Sequence, residues 1–148
     1  MKGSPRVRHD EFETEFDRLF TDLARHAHHG RFEPNADVFV DRERGRVVVH
    51  VELAGADAES LRVGIEEGHL FIIGARVDRL GSPGSIHQKE IQYGEFVKKL
   101  HLPAPVDKDH GSAVYRDGIL TISLPLAPHA SFPTRRTQIR MVVQRTLA

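Results

Sequence analysis

The spacing of apolar side chains divides the 148-residue chain into three zones. Between residues 1 and 34, Phe12, Phe16, Leu19, Phe20, Leu23 and Ala27 recur at steps of three and four, which places them on one face of a helix. Asp10 is suited to cap that helix, Glu11 and Glu13 lie at its positive end, and Gly30 can close it. A lone helix of this length is marginal in water, so its phenylalanines need a partner surface. From residue 35 to 127 the period shortens to two. Val47, Val49, Val51 and Leu53 alternate with Val48, His50 and Glu52, and Leu61, Val63 and Ile65 alternate with Arg62, Gly64 and Glu66. Each run has the pattern of a strand with one buried face. Leu70, Phe71, Ile72 and Ile73 run without a break, predicting a strand covered on both faces. Phe96, Leu100 and Leu102 share a face before Pro103 and Pro105 stop their strand. Glu67-Gly68 and Arg116-Asp117-Gly118 mark tight hairpins. Several short strands, regular turns and no long internal helix predict an all-β antiparallel sandwich, ended by Pro125 and Pro128.

Two segments depart from this regularity. Residues 80–85 contain Gly81-Ser82-Pro83-Gly84 and read as a loop. Residues 86–92 follow with a weak, mostly polar strand pattern, which can pair within its own chain or with another. In the third zone, residues 128–148, Ile139, Met141 and Val143 alternate with Arg140 and Val142 after a polar linker. Such a peptide carries two apolar knobs, Ile139 and Met141, roughly 7 Å apart at strand rise. It is suited to adding to a sheet edge, and the linker favours an edge outside its own domain.

Composition narrows the functional classes. The 21 basic and 21 acidic side chains balance, so no electrostatic footprint for nucleic acid or an acidic membrane is expected, and self-association is not opposed by net charge. There is no cysteine, which removes disulfides and thiol nucleophiles and fits a reducing, cytoplasmic setting. The first residues lack the apolar stretch of a signal peptide, and no apolar run approaches the ~20 residues of a membrane span. His26, His28 and His29 have no acidic partner at ligand spacing and read as a solvated helix end, so no metal and no cofactor is expected. Neither a G-x-x-x-x-G-K-[ST] phosphate loop nor a G-x-S-x-G elbow occurs, and no catalytic residue is assigned.

Four stretches carry a family resemblance. Ala113-Val114-Tyr115-Arg116-Asp117-Gly118-Ile119-Leu120 resembles the A-x-x-x-[ND]-G-[VI]-L signature of the small heat-shock proteins, the α-crystallin family, in its bacterial form. Leu53-Ala54-Gly55-Ala56 is similar to the family's L-P-G-[VF] turn. Glu90, Tyr93-Gly94 and Phe96 followed by Leu102-Pro103 resemble its E-x-x-Y-G-x-F…L-P block, and Ile139-Arg140-Met141 its C-terminal I-x-[IV] motif. Alanine at 54 replaces the usual proline. Lys98 stands where the family usually has an arginine that pairs across the dimer interface, and lysine lacks the bidentate fork. Met141 replaces a β-branched knob, and Gly111 lies where an apolar residue normally stands two before the signature alanine.

The resemblance implies an immunoglobulin-like antiparallel β-sandwich, the α-crystallin domain, over residues 35–127. A short helical arm (residues 1–34) precedes it and an extended tail (residues 128–148) follows. It implies a homodimer formed by exchange of the loop strand, with Ile86, Glu90, Tyr93 and Lys98 at the interface. It implies higher homo-oligomers formed by docking of the tail motif Ile139, Met141 and Val143. The function implied is an ATP-independent holdase that binds unfolded or partly folded client proteins. Phe12, Phe16, Leu19, Phe20 and Leu23 are then the candidate client-binding residues, and Ala113, Gly118, Ile119 and Leu120 the signature. Two other readings stand beside it: a binding module of the CS-domain co-chaperone type, and a purely structural assembly protein.

Overall fold

The computed structural model describes residue 18, residues 32–128, and segments 137–139 and 141–143. Phe12, Phe16, Leu19, Phe20 and Leu23 lie outside the described residues. The strands are β1 (Ala36–Asp41), β2 (Arg46–Glu52), β3 (Arg62–Glu66), β4 (His69–Arg76), β5 (Gly94–His101), β6 (Ser112–Arg116), β7 (Ile119–Pro125), β8 (Thr137–Ile139) and β9 (Met141–Val143). They form two sheets, ordered β1-β2-β7-β6-β9 and β5-β4-β3-β8. Pairing is antiparallel except between β6 and β9, which run parallel.

The alternation read from the sequence sets the core. In one sheet Val47, Val49 and Val51 lie opposite Leu124, Ile122 and Leu120. In the other, Val63 and Ile65 lie opposite Ile72 and Leu70. All ten are buried completely, and no polar or charged residue joins them among the described residues. Phe71 and Ile73, on the other face of β4, are buried as well, as an unbroken apolar run requires. Within its sheet, Gly74 is crowded by its neighbours on either side. A Cβ there would stand 2.6 Å from Leu61 Cδ2 and 3.0 Å from Phe96 Cζ, so the position is glycine for want of space.

The hairpins are of the type that matches strand twist. Glu67 and Gly68 have φ of 48° and 77°, and Asp117 and Gly118 have 54° and 78°, the left-handed pair of a two-residue type I′ turn. Gly118 has a second constraint, because a Cβ would lie 3.1 Å from the Ala54 backbone.

Three features differ from the sequence reading. A strand that the period did not mark, β1, adds to β2 through a turn in which the Asp41 carboxylate accepts from the Arg44 N–H at 3.0 Å. The segment 86–92 forms no strand; its weak pattern finds no partner among the described residues. The tail is two short strands instead of one. It leaves the edge of one sheet after Ile139 and joins the edge of the other at Met141.

Candidate assembly surfaces

The first surface is the groove between the edges of β3 and β6. Segment 137–139 pairs with β3, placing Ile139 opposite Val63. Segment 141–143 pairs with β6, placing Met141, Val142 and Val143 opposite Ala113, Val114 and Tyr115. Ile139 is 1% exposed and belongs to the hydrophobic core. Burying such a side chain stabilises by roughly 1.5–3 kcal/mol. Gly111 lies beside it: a Cβ at 111 would clash with Leu124 Cδ2 at 2.8 Å and make ordinary van der Waals contact with Ile139 Cγ2 at 3.5 Å. The place of the missing apolar side chain noted in the sequence is taken by Leu124, with the isoleucine of the tail packed beside it. In this single chain the groove is filled by its own tail.

Of the signature residues, Ala113 stands on the β6 edge of this groove, and the others carry the chain on into β7. Ala113 and Leu120 are fully buried, Gly118 supplies the turn, and Ile119 opens β7 with its side chain partly exposed. Tyr115 donates its hydroxyl to the Leu53 carbonyl at 2.6 Å, which ties β6 to the turn after β2. Burial pushes the phenol of Tyr115 above its ordinary pKa.

The second surface is the segment joining β4 to β5. Ile86 and Ile91 are 63% and 64% exposed, and Glu90 is exposed beside them. The root of the segment is held by Arg76. Its guanidinium lies 3.6 Å over the Phe32 ring and 6.0 Å from the Tyr93 ring, and its Nε donates to the Gln92 carbonyl at 2.8 Å. Phe32 in turn meets Phe96 edge-on at 5.6 Å. Lys98 is not spread on the surface. Its side chain is 18% exposed and its ammonium lies 3.4 Å from the Glu33 carboxylate, an ion pair within the chain.

The third surface is the outer edge of β1, which carries Val38, Phe39 (48% exposed) and Val40. Among the described residues β1 pairs only with β2, so one row of its backbone groups is open to a further strand. Sequence reasoning missed this edge because apolar side chains stand on both of its faces and blur the period. It also missed the Arg76–Phe32 clasp, since a lone aromatic in irregular chain leaves no periodic signal. The structure therefore brings the tail to Ala113 of the signature, and Tyr93 to the root of the loop carrying Ile86 and Glu90.

Other chemistry is sparse. Among the described residues no group of three or more His, Asp or Glu is placed to hold a metal ion, and no helix is long and apolar enough to cross a membrane. The Asp107 carboxyl is held below the usual carboxylate range, chiefly by the His110 ring nitrogen at 2.6 Å. The Asp41 carboxyl is lowered chiefly by the Arg44 N–H.

Comparison with known proteins places this arrangement. Residues 40–140 match the model of the Hsp20/alpha crystallin family. Heat shock protein 16 of Schizosaccharomyces pombe is 31% identical over 99 residues, covering 65% of this chain and 68% of that protein. The solved structure of hspA from Xanthomonas axonopodis superposes with a TM-score of 0.60 at 27% identity, covering 68% of this chain and all of that one. Heat shock protein 16.0 from Schizosaccharomyces pombe does so with a TM-score of 0.59 at 26% identity, covering 80% and 98%. Sandwich, groove and signature thus converge with these likenesses: the chain belongs to the Hsp20/alpha crystallin family of small heat shock proteins, which are ATP-independent chaperones and not enzymes.

Proposed function

We propose that this chaperone is a cytoplasmic holdase that binds partly unfolded proteins and works as dimers assembled into larger oligomers. The observation that carries the reading is a matched pair of unsatisfied surfaces: the open apolar edge of β1 and the unpaired segment 86–92 with Ile86 and Ile91 exposed. Each supplies what the other lacks, and within one chain they do not meet. In a dimer, Ile86 and Glu90 would lie along the partner's β1, with Tyr93 and Lys98 at the root of the exchanged loop. The tail motif Ile139, Met141 and Val143 would leave its own groove and enter that of a neighbouring dimer. The arm, residues 1–34, would offer Phe12, Phe16, Leu19, Phe20 and Leu23 to clients. Five such side chains supply on the order of 10 kcal/mol before ordering costs, enough for reversible holding. A holdase must prefer the unfolded state of its client, which calls for adaptable apolar surface instead of a pocket.

Light scattering of a heat-labile client tests this. An equimolar amount of the chain is expected to suppress aggregation equally with and without ATP, and deletion of residues 1–34 to weaken the effect. Unchanged aggregation would refute the holdase reading, and a clean monomer by native mass would refute the exchanged dimer.

A further inference from the structure

Away from these three surfaces, one pair of side chains has the chemistry of a ligand site. His69 opens β4 and His101 closes β5, and they are direct cross-strand partners. Their ring centroids are 5.3 Å apart with the planes at 84°. The Leu102 N–H donates to the Gly68 carbonyl at 2.8 Å, so Gly68 and Leu102 form a hydrogen-bonded pair. By alternation the adjoining pair, His69 and His101, is a non-hydrogen-bonded one, the kind that holds opposite Cβ atoms closest. The His69 Nδ1 lies 3.1 Å from the Glu67 carbonyl oxygen. A carbonyl can only accept, so that nitrogen carries the proton, and the neutral ring is left with its lone pair on Nε2. A backbone carbonyl fixing the far nitrogen is the usual setting of a metal-binding imidazole.

From this geometry we propose that His69 and His101 form a bis-imidazole site for a divalent transition ion of the Zn²⁺, Ni²⁺ or Cu²⁺ class. Two imidazole nitrogens about 2.0–2.1 Å from an ion, on neighbouring tetrahedral positions, put their ring centres about 5 Å apart. The observed separation needs only small ring adjustments to reach it. Water completes the coordination. Neutral imidazoles favour this class of ion over Mg²⁺ and Ca²⁺, which take oxygen ligands. Glu66 on β3 stands opposite His69 and adds negative charge beside the site. Lys99, on the same face two residues before His101, has its ammonium 5.7 Å from the Phe71 ring centre. The ion would clasp the long β4–β5 hairpin at the end remote from the segment that joins the two strands, and binding to the folded chain alone would raise its stability.

The test is calorimetric titration with Zn²⁺ of the full-length chain carrying His9→Asn, His26→Asn, His28→Asn and His29→Asn, so that the N-terminal histidines add nothing. One ion per chain is expected, with a raised thermal midpoint, and Mg²⁺ should give neither. Two donors on one rigid sheet gain on the order of a hundredfold over one alone. His69→Asn or His101→Asn should therefore weaken binding by about that factor and abolish the midpoint shift, whereas His50→Asn should change neither. Circular dichroism checks that each variant keeps its sheet. Undiminished Zn²⁺ affinity in both variants, an equal response to Mg²⁺, or one ion per two chains would each overturn the proposal.

Discussion

At Gly111 and Gly74 the side chain that is absent does the structural work. Gly111 has an ordinary φ of −72°, so only space is at stake there. Gly111→Val should press first on Leu124 and through it loosen Ile139 beside it, costing about 1–3 kcal/mol by overpacking while the sandwich persists. Faster proteolysis between residues 128 and 137, with an unchanged far-ultraviolet spectrum, is the expected sign. Gly74→Ala acts on the core itself, where Leu61 and Phe96 already fill the place of a Cβ. It should cost about 1–3 kcal/mol by overpacking, read as a lower denaturant midpoint with unchanged slope. The two glycines differ in how far the sequence revealed them. Gly111 stood out as a gap in a motif, although the residue that fills the gap, Leu124, stands on another strand. Gly74 lies inside an apolar strand, and nothing in a linear pattern tells which facing side chain will lean on it.

Strands with a distinct inner and outer face were legible, because burial imposes a period of two. That is why β2, β3, β7 and the hairpins at Glu67-Gly68 and Asp117-Gly118 could be read from residues alone. Elements whose partner is an edge were not. β1 is half exposed on both faces, segment 86–92 has a strand's pattern without a strand's partner among the described residues, and the tail serves two sheets, 137–139 on one and 141–143 on the other. The turns carry a pH signature of their own. Asp41 closes the β1–β2 turn, and Asp107 caps the short turn before β6, accepting from the Asp109 N–H at 2.9 Å. Both carboxyls titrate lower in the folded chain than when unfolded. Their stabilisation is therefore complete above the unfolded-state value of about 3.9 and is lost as pH falls through the lowered folded values. The thermal midpoint should fall on that acid limb, and Asp41→Asn with Asp107→Asn should flatten it. An acid limb of undiminished steepness in the double variant would show that other groups govern it.

At the scale of the molecule, the described sandwich carries a strand of the tail at one edge of each sheet and none at the other. The tail closes the β3 and β6 edges, whereas β1 and β5 end their sheets with no further strand among the described residues. Replacing Ile139 and Met141 with serine should leave a folded sandwich and shift the assembly towards dimers by native mass spectrometry. An unchanged size distribution would mean that tails do not bridge subunits. The tail is joined to β7 only through residues 126–136, and this short connection governs time as well as strength. On so short a tether the tail meets its own groove at an effective concentration in roughly the millimolar range, above that of any diffusing neighbour. Trading of chains between assemblies is then limited by how often a groove stands empty, not by how often subunits collide. The mixing rate of differently labelled chains should accordingly level off as protein concentration rises.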